Sequence, residues 1–239
     1  MISTGSFPLL TVKDIYKRFG GLVALNNITL ELEAGRIYGM IGPNGSGKTT
    51  LFNVITGYYK ADDGLVSYKG GALNGLKPHE IAKRGIGRTF QIPRPLVKLR
   101  VRQNLMVAAP RWDETYTNRA EELMEILDLK EASEALAGSL SYGQKKQLDL
   151  ARILMTDPEL ILMDEPTSGL PTHTVDKMLE YIRSVRTENR SIIIVEHNMG
   201  VITRLCEKIF VLDYGAKIAE GTPEEIQKDK KVISAYLGE

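Results

Sequence analysis

The chain has 239 residues, of which 43 % are hydrophobic and 26 % charged, and Lys plus Arg exceed Asp plus Glu by one (31 against 30). Such proportions exclude a disordered or fibrous chain, and the balanced charge excludes attraction to nucleic acid as the main task. The single Cys206 excludes an internal disulfide, and no run reaches the roughly 18 apolar residues that cross a bilayer, so a soluble, cytoplasmic protein is expected.

In chain order, Leu10 to Ile15, Ile28 to Leu32 and Gly64 to Tyr68 alternate or are rich in β-formers, with glycine-containing turns between them. They predict an antiparallel sheet. Ile37 to Ile41 reads as a short buried strand and Thr50 to Thr56 as the start of a helix behind it. Between the two lies Gly42-Pro43-Asn44-Gly45-Ser46-Gly47-Lys48-Thr49, which meets the phosphate-loop pattern G-x-x-x-x-G-K-[ST] at every fixed position. At ordinary residue frequencies, about one chain in a hundred of this length would match by accident. Backbone N–H groups of Gly45 through Thr49 can wrap an anion at the positive end of a helix, and the glycines admit close approach. Lys48 would reach the β- and γ-phosphates, and Thr49 would hold Mg²⁺ through its hydroxyl.

Further on the texture changes. Val101 to Ala109 and Arg119 to Leu129 repeat apolar residues at helical spacing without a β-rich interruption. Residues 92–157 are therefore read as a helical subdomain inserted into an α/β core formed by 1–91 and 158–239. Within the insert, Leu140-Ser141-Tyr142-Gly143-Gln144 opens a helix with Ser141 at its N-cap and Lys145 to Met155 in helical period. Glu159 to Asp164, Ser191 to Val195 and Lys208 to Leu212 are apolar strands separated by helical stretches, the pattern of βαβ units. The first ends in Asp164-Glu165, whose side chains point in opposite directions and so take different roles. Asp164 is suited to the Mg²⁺ shell and Glu165 to polarising an attacking water as general base. Lys145-Lys146 and the three lysines of 228–231 are read as solvated faces. His79 and His173 receive no role.

Together these residues resemble the ATP-binding subunits of ABC transporters, whose signature is close to Leu-Ser-Gly-Gly-Gln. The phosphate loop, the signature and the Asp-Glu strand stand in the family's order, and the resemblance covers nearly the whole chain. It implies an α/β fold: a P-loop NTPase (RecA-like) core with an antiparallel β subdomain and an inserted helical subdomain. It further implies that ATP and Mg²⁺ are bound. Phe19 falls where the family stacks an aromatic on adenine, with a plain core aromatic as the alternative. Gln91 falls at the loop linking Mg²⁺ to the transmembrane partner, and His197 at a switch histidine contacting the γ-phosphate. Thr50 joins the phosphate-loop contacts. Two such subunits are expected to sandwich two ATP molecules head to tail, with Ser141, Gly143 and Gln144 of one facing the phosphate loop of the other.

Tyr142 within the signature, the run Arg88-Thr89-Phe90-Gln91, and the ending Glu220-Gly221-Thr222-Pro223-Glu224-Glu225 … Ala235-Tyr236-Leu237-Gly238-Glu239 look like the ATPases of branched-chain amino acid importers. That resemblance implies permease partners, a second ATPase that is identical or similar, an indirect link to a substrate-binding protein, and a peripheral place on the cytoplasmic face of the membrane. Phe90, Ile92, Pro93, Leu96 and Val97 would line the permease groove, unless they only pack the subdomain. The cargo stays open among branched-chain and other amino acids, urea and short amides. A soluble ABC ATPase and a lipid or lipopolysaccharide exporter ATPase are the alternatives. One position departs from the pattern: after Ser168-Gly169-Leu170 stands Pro171, where the superfamily has Asp and this subfamily Asn. It removes a polar side chain from the inter-subunit loop but suits the N1 position of a following helix.

Overall fold

In the computed structural model, which describes residues 8–237, strands β1 (Leu10–Phe19) and β2 (Leu22–Leu32) form a hairpin turned by Gly20-Gly21. Strand β3 (Ile37–Ile41) leads through the phosphate loop into α1 (Lys48–Ile55). Then come β4 (Asp63–Tyr68), β5 (Gly71–Ala72), α2 (Pro78–Lys83) and β6 (Ile86–Arg88). Helices α3 (Val101–Ala108), α4 (Glu114–Ile126) and α5 (Tyr142–Leu154) occupy the middle of the chain. The alternation β7 (Leu160–Asp164), α6 (Thr172–Val185), β8 (Ser191–Val195), α7 (Met199–Leu205) and β9 (Lys208–Asp213) follows. The chain closes with β10 (Ala216–Gly221), α8 (Pro223–Lys228) and α9 (Lys230–Leu237), so Gly238 and Glu239 of the importer-like ending lie outside the described residues.

Six strands form one sheet in the order β10-β9-β3-β8-β7-β6, parallel except for β10, and β2-β1-β4-β5 form a second, antiparallel sheet. Every residue of β3, β7 and β8 is buried, because helices cover one face of the large sheet while α1 and the second sheet cover the other. Alternation sorts the side chains between two cores. Ile37, Ile41, Ile161, Met163, Ile192 and Ile194 face α5, α6 and α7, whereas Tyr38, Met40, Leu160, Leu162, Ile193 and Val195 face α1 and the antiparallel sheet. The carboxyl ends of β3, β7 and β8 therefore meet along one edge, where parallel sheets of this kind form binding sites.

The expected strands are all present, and their ends differ where burial stops giving a signal. The first hairpin runs past Ile15 to Phe19 and back from Leu22, because backbone pairing continues through side chains that are largely exposed. Helix α4 starts at Glu114 rather than Arg119: Asp113 caps it by accepting from the Tyr116 N–H at 3.2 Å, and its polar first turn has no apolar period to read. It ends at Ile126, and Asp128 takes a left-handed turn (φ 55°). Pro171 is not at N1 but at the N-cap of α6, with ψ 148°; its carbonyl accepts from the N–H groups of Thr174 (2.8 Å) and Val175 (3.2 Å).

Candidate functional site

Helix α1 has Gly47 at its N-cap, with φ 105° and no capping side chain, so the first-turn N–H groups at Lys48, Thr49 and Thr50 lack intrahelical acceptors. Two glycines are required by the surrounding backbone. A Cβ on Gly42 would stand 2.0 Å from the Leu212 carbonyl oxygen, and one on Gly47 would stand 2.6 Å from that of Ala24. Gly45 has open space where its Cβ would be, and Asn44, Gly45 and Thr49 are exposed along the loop. Ser46 donates its N–H to the Pro43 carbonyl at 3.2 Å. The Lys48 ammonium lies inside the curve, donating to the carbonyls of Gly42 (2.7 Å) and Pro43 (2.8 Å) and to the Ser46 hydroxyl (3.3 Å). Burial lowers its pKa, and the carboxylates of Glu165 and Asp164 act in the opposite direction. The result is a concave backbone nest with one cation, the chemistry of a polyphosphate cradle.

Two strands away, the end of β7 supplies the carboxylates. Asp164 is buried, its N–H donates to the Thr89 hydroxyl at 3.3 Å, and its Oδ2 lies 3.5 Å from Arg88 Nη2. Burial raises its pKa and Arg88 opposes that. Arg88 also donates to Asn53 Oδ1 (2.7 Å) and Thr56 Oγ1 (3.0 Å) on α1 and lies over the rings of Phe52, Tyr58 and Phe90. The next residue, Glu165, turns left-handed (φ 47°), which swings its side chain off the sheet. Its N–H donates to the Val195 carbonyl at 2.9 Å, and its Oε2 accepts from Gln91 Nε2 at 2.8 Å. His197, just past β8 and exposed, has Nδ1 3.9 Å from Glu165 Oε1. Gln91, from 74 positions away, and His197 thus converge on the Glu165 carboxylate.

No three His, Cys, Asp or Glu side chains cluster as a metal cage among the described residues. Thr49, Asp164 and Gln91 offer a hydroxyl, a carboxylate and an amide. Such sparse, hard oxygen donors fit Mg²⁺, which keeps water and substrate phosphate as its other ligands.

Three placements sharpen the sequence expectations. Phe19 is 42 % exposed near the hairpin tip, edge-on to Tyr59 with ring centroids 5.2 Å apart, so it is a surface platform and not a core aromatic. Ser141 caps α5 as expected: its hydroxyl accepts from the Gln144 N–H at 3.3 Å, and Gln144 Oε1 accepts from the Ser141 N–H at 3.0 Å. Among the described residues no hydrogen bond links Ser141, Gly143 or Gln144 to the phosphate loop of the same chain. Lys146, by contrast, is not on a solvated face. It is 6 % exposed and donates to the Glu165 backbone carbonyl at 2.6 Å, a contact that pairing Lys146 with Lys145 as surface charge did not anticipate. Arg88 and Glu196 also escaped the sequence. Glu196 is buried, and its Oε1 accepts from the N–H (3.0 Å) and hydroxyl (2.5 Å) of Thr167. For Lys146 the one legible signal was its position four residues after Tyr142, on the same face of a helix.

A strand, phosphate loop and helix, with a carboxylate strand two places over, define the class of nucleoside triphosphatases with a P-loop core. The model of the ABC transporter family matches residues 25–168, and the chain belongs to that family of ATP-binding cassettes, the ATPases that energise transport. A second model, named for the branched-chain amino acid ATP-binding cassette transporter, matches residues 216–239. The chain is 38 % identical to the high-affinity branched-chain amino acid transport ATP-binding protein BraF of Pseudomonas aeruginosa, over 98 % of this chain and 99 % of that protein. It is 37 % identical to LivG of Escherichia coli, with the same coverage of 98 % and 99 %. The crystal structure of an ATP-binding cassette of an ABC transporter in an ADP conformation superposes with a TM-score of 0.89 at 32 % identity, covering 98 % of this chain and all (100 %) of that one.

Proposed function

We propose that this chain is the ATP-hydrolysing subunit of an importer for branched-chain amino acids, docked on the cytoplasmic face of a membrane-spanning permease. The observation that carries the reading is the match of residues 216–239 to the model of the branched-chain amino acid cassette, on a chain similar along its whole length to BraF and LivG. Among the described residues no helix is long and apolar enough to cross a membrane, which fits a permease supplied by other chains.

In this reading the phosphate-loop backbone, Lys48, Thr49 and Thr50 hold the triphosphate, and the exposed Phe19 ring stacks on adenine. Thr49, Asp164 and Gln91 would hold Mg²⁺, which would supply charge neutralisation to the phosphates. Glu165 accepts a hydrogen bond from the attacking water, with Gln91 steadying its carboxylate at 2.8 Å, and His197 donates toward the γ-phosphate. The capped N-terminus of α5, with Ser141 and Gly143, faces outward to meet the nucleotide of a second cassette. Head-to-tail pairing thereby completes two sites that neither chain holds alone.

The permease would dock in the cleft of about 350 Å³ bounded by Tyr58, Ile86, Arg88, Phe90, Arg94 and Arg152. Of the residues expected to line the permease groove, Phe90 lines this cleft, whereas Ile92, Leu96 and Val97 are exposed and outside its lining. A double change such as Phe90→Asp with Leu96→Asp should leave nucleotide binding intact and remove the permease from the complex.

The experiment has two arms. Removing the chain from its own cells should abolish uptake of radiolabelled leucine, and the wild-type chain should restore it while Glu165→Gln does not, although Glu165→Gln still binds ATP. Uptake that persists without the chain would overturn the cargo, and undiminished phosphate release by Glu165→Gln would overturn the general base.

A further inference from the structure

Glu165 is held from both ends by the first turns of a single helix, α5. At its backbone, the carbonyl receives Lys146 Nζ at 2.6 Å and the Ser168 N–H at 3.2 Å. At its carboxylate, Oε2 receives Gln91 Nε2 at 2.8 Å, and the backbone carbonyl of Gln91 accepts the Tyr142 hydroxyl at 3.3 Å. Tyr142 also lies beneath the ammonium, with Nζ 5.4 Å from its ring centroid, and its ring lies against Gly169 in the loop that follows Glu165.

We propose that Lys146 is a positioning residue for Glu165: its buried ammonium fixes the left-handed backbone that aims the carboxylate, and so ties the general base to the signature helix of the same subunit. This rests on the reading of Glu165 as general base.

Three physical points carry it. A left-handed backbone is strained for a non-glycine residue, so Glu165 needs an external hold to stay there. The hold is charge-assisted, and such bonds are roughly twice as strong as neutral ones; it is also the shorter of the two at this carbonyl. A lysine that is 6 % exposed is costly to keep charged, and burial does lower its pKa. The carboxylates of Glu196, Glu165, Asp149 and Asp164 around it act against that and favour the ammonium.

The consequence is a mechanical link. When the N-terminus of α5 engages a nucleotide across a dimer interface, Lys146 and Tyr142 move with it, and both grips on Glu165 move too. Lys146 therefore connects what the signature segment meets at one site to the base serving the other.

The test uses the full-length protein and measures ATP hydrolysis, ATP affinity and thermal unfolding together. Lys146→Met keeps the stem and removes the charge. It should lower kcat by about tenfold to a hundredfold, the range expected when a catalytic group is misplaced by a fraction of an ångström to one ångström. ATP affinity should stay within about twofold. The unfolding temperature should fall, because Glu196 and the other nearby carboxylates lose a buried cation, so kcat is read well below it; a merely structural lysine would leave kcat of the folded protein unchanged. Lys146→Arg, which restores a cation, should recover most of the rate. Combined with Glu165→Gln, Lys146→Met should add no further loss, because both act through one group. A kcat for Lys146→Met within about twofold of wild type, or losses that multiply in the double variant, would overturn the proposal. Lys146→Gln serves where the methionine variant does not fold. Should Glu165→Gln alone turn over at the wild-type rate, the general-base reading fails, and that outcome is separate from the Lys146 result.

Discussion

The phosphate loop and the turn at Glu165 sit at the carboxyl ends of β3 and β7, the two strands that flank β8, yet they are built by opposite means. The loop is made of backbone: its shape comes from glycines at positive φ, and its one cation bonds to near neighbours in sequence, Lys48 reaching only to Gly42, Pro43 and Ser46. The Glu165 turn is made of side chains brought from afar, Lys146 from 19 positions away and Gln91 from 74. A local device is written as a motif because its parts must be adjacent. A distributed device leaves no motif, because the fold and not the spacing brings its parts together. The two should also fail differently when broken, the loop through sterics and the turn through uncompensated charge.

The largest effect is expected where backbone leaves no room. Gly42→Ala puts a Cβ 2.0 Å from the Leu212 carbonyl oxygen, so β9 and the loop must separate. We expect a loss of about 3 kcal/mol or more in urea unfolding, together with loss of ATP binding. Gly45→Ala is the control, since its Cβ meets open space and only φ 82° is strained. It should cost about 1 kcal/mol. Equal losses at the two positions would show that conformation alone, and not the close approach of β9, dictates the loop.

Next in size is Arg88, the charge that joins the two regions. Its guanidinium spans Asn53 and Thr56 on the helix behind the phosphate loop and Asp164 on β7, with both ionic side chains almost fully buried (6 % and 7 % exposed). Arg88→Met keeps the apolar contacts with Phe52 and Phe90 but leaves the Asp164 carboxylate without its buried cation. Removing one partner of such a pair costs about 3–5 kcal/mol, and the 3.5 Å separation argues for a value just below that range, about 2–3 kcal/mol in urea unfolding. A loss below about 1 kcal/mol would show that Lys48, the other cation acting on Asp164, compensates by itself, and the two regions would then be less joined than this geometry implies.

How much of this was legible follows the same division. Strands β3 and β8 were readable to the residue, because continuous apolar runs such as Ile37 to Ile41 and Ser191 to Val195 have few other uses. Strand β10 went unread: Ala216 to Gly221 carries little β preference and is a strand because the Tyr214-Gly215 turn folds it against β9. The three-residue β6 was equally silent. In the site, the phosphate loop, Asp164 and the Ser141 cap were visible as patterns. Lys146, Arg88 and Glu196 were not, since a charged residue in sequence looks the same on a surface as in a core, and only their tertiary partners distinguish them: the Glu165 carbonyl, Asp164 and Thr167 in turn. Pro171 was misplaced by one position because proline suits both the N-cap and N1 of a helix start.

The smallest effect separates stability from function within one local device. Helices α5 and α8 begin with the same hydroxyl capping box. In α5, Ser141 and Gln144 exchange bonds of 3.3 and 3.0 Å; in α8, Thr222 and Glu225 exchange bonds of 3.3 and 2.8 Å. Each cap satisfies the same orphan N–H group, so Ser141→Ala and Thr222→Ala should each cost about 1 kcal/mol in urea unfolding. Turnover of the assembled ATPase should distinguish them: a drop for Ser141→Ala and an unchanged rate for Thr222→Ala. A matching stability loss with a diverging rate would mean that the Ser141 hydroxyl does something beyond closing its own helix, which is the role that facing a second subunit's nucleotide demands. A rate that falls equally in both would reduce the signature serine to a helix cap, and the weight of the α5 terminus would then rest on Gly143 and on the backbone dipole, as it does in the phosphate loop.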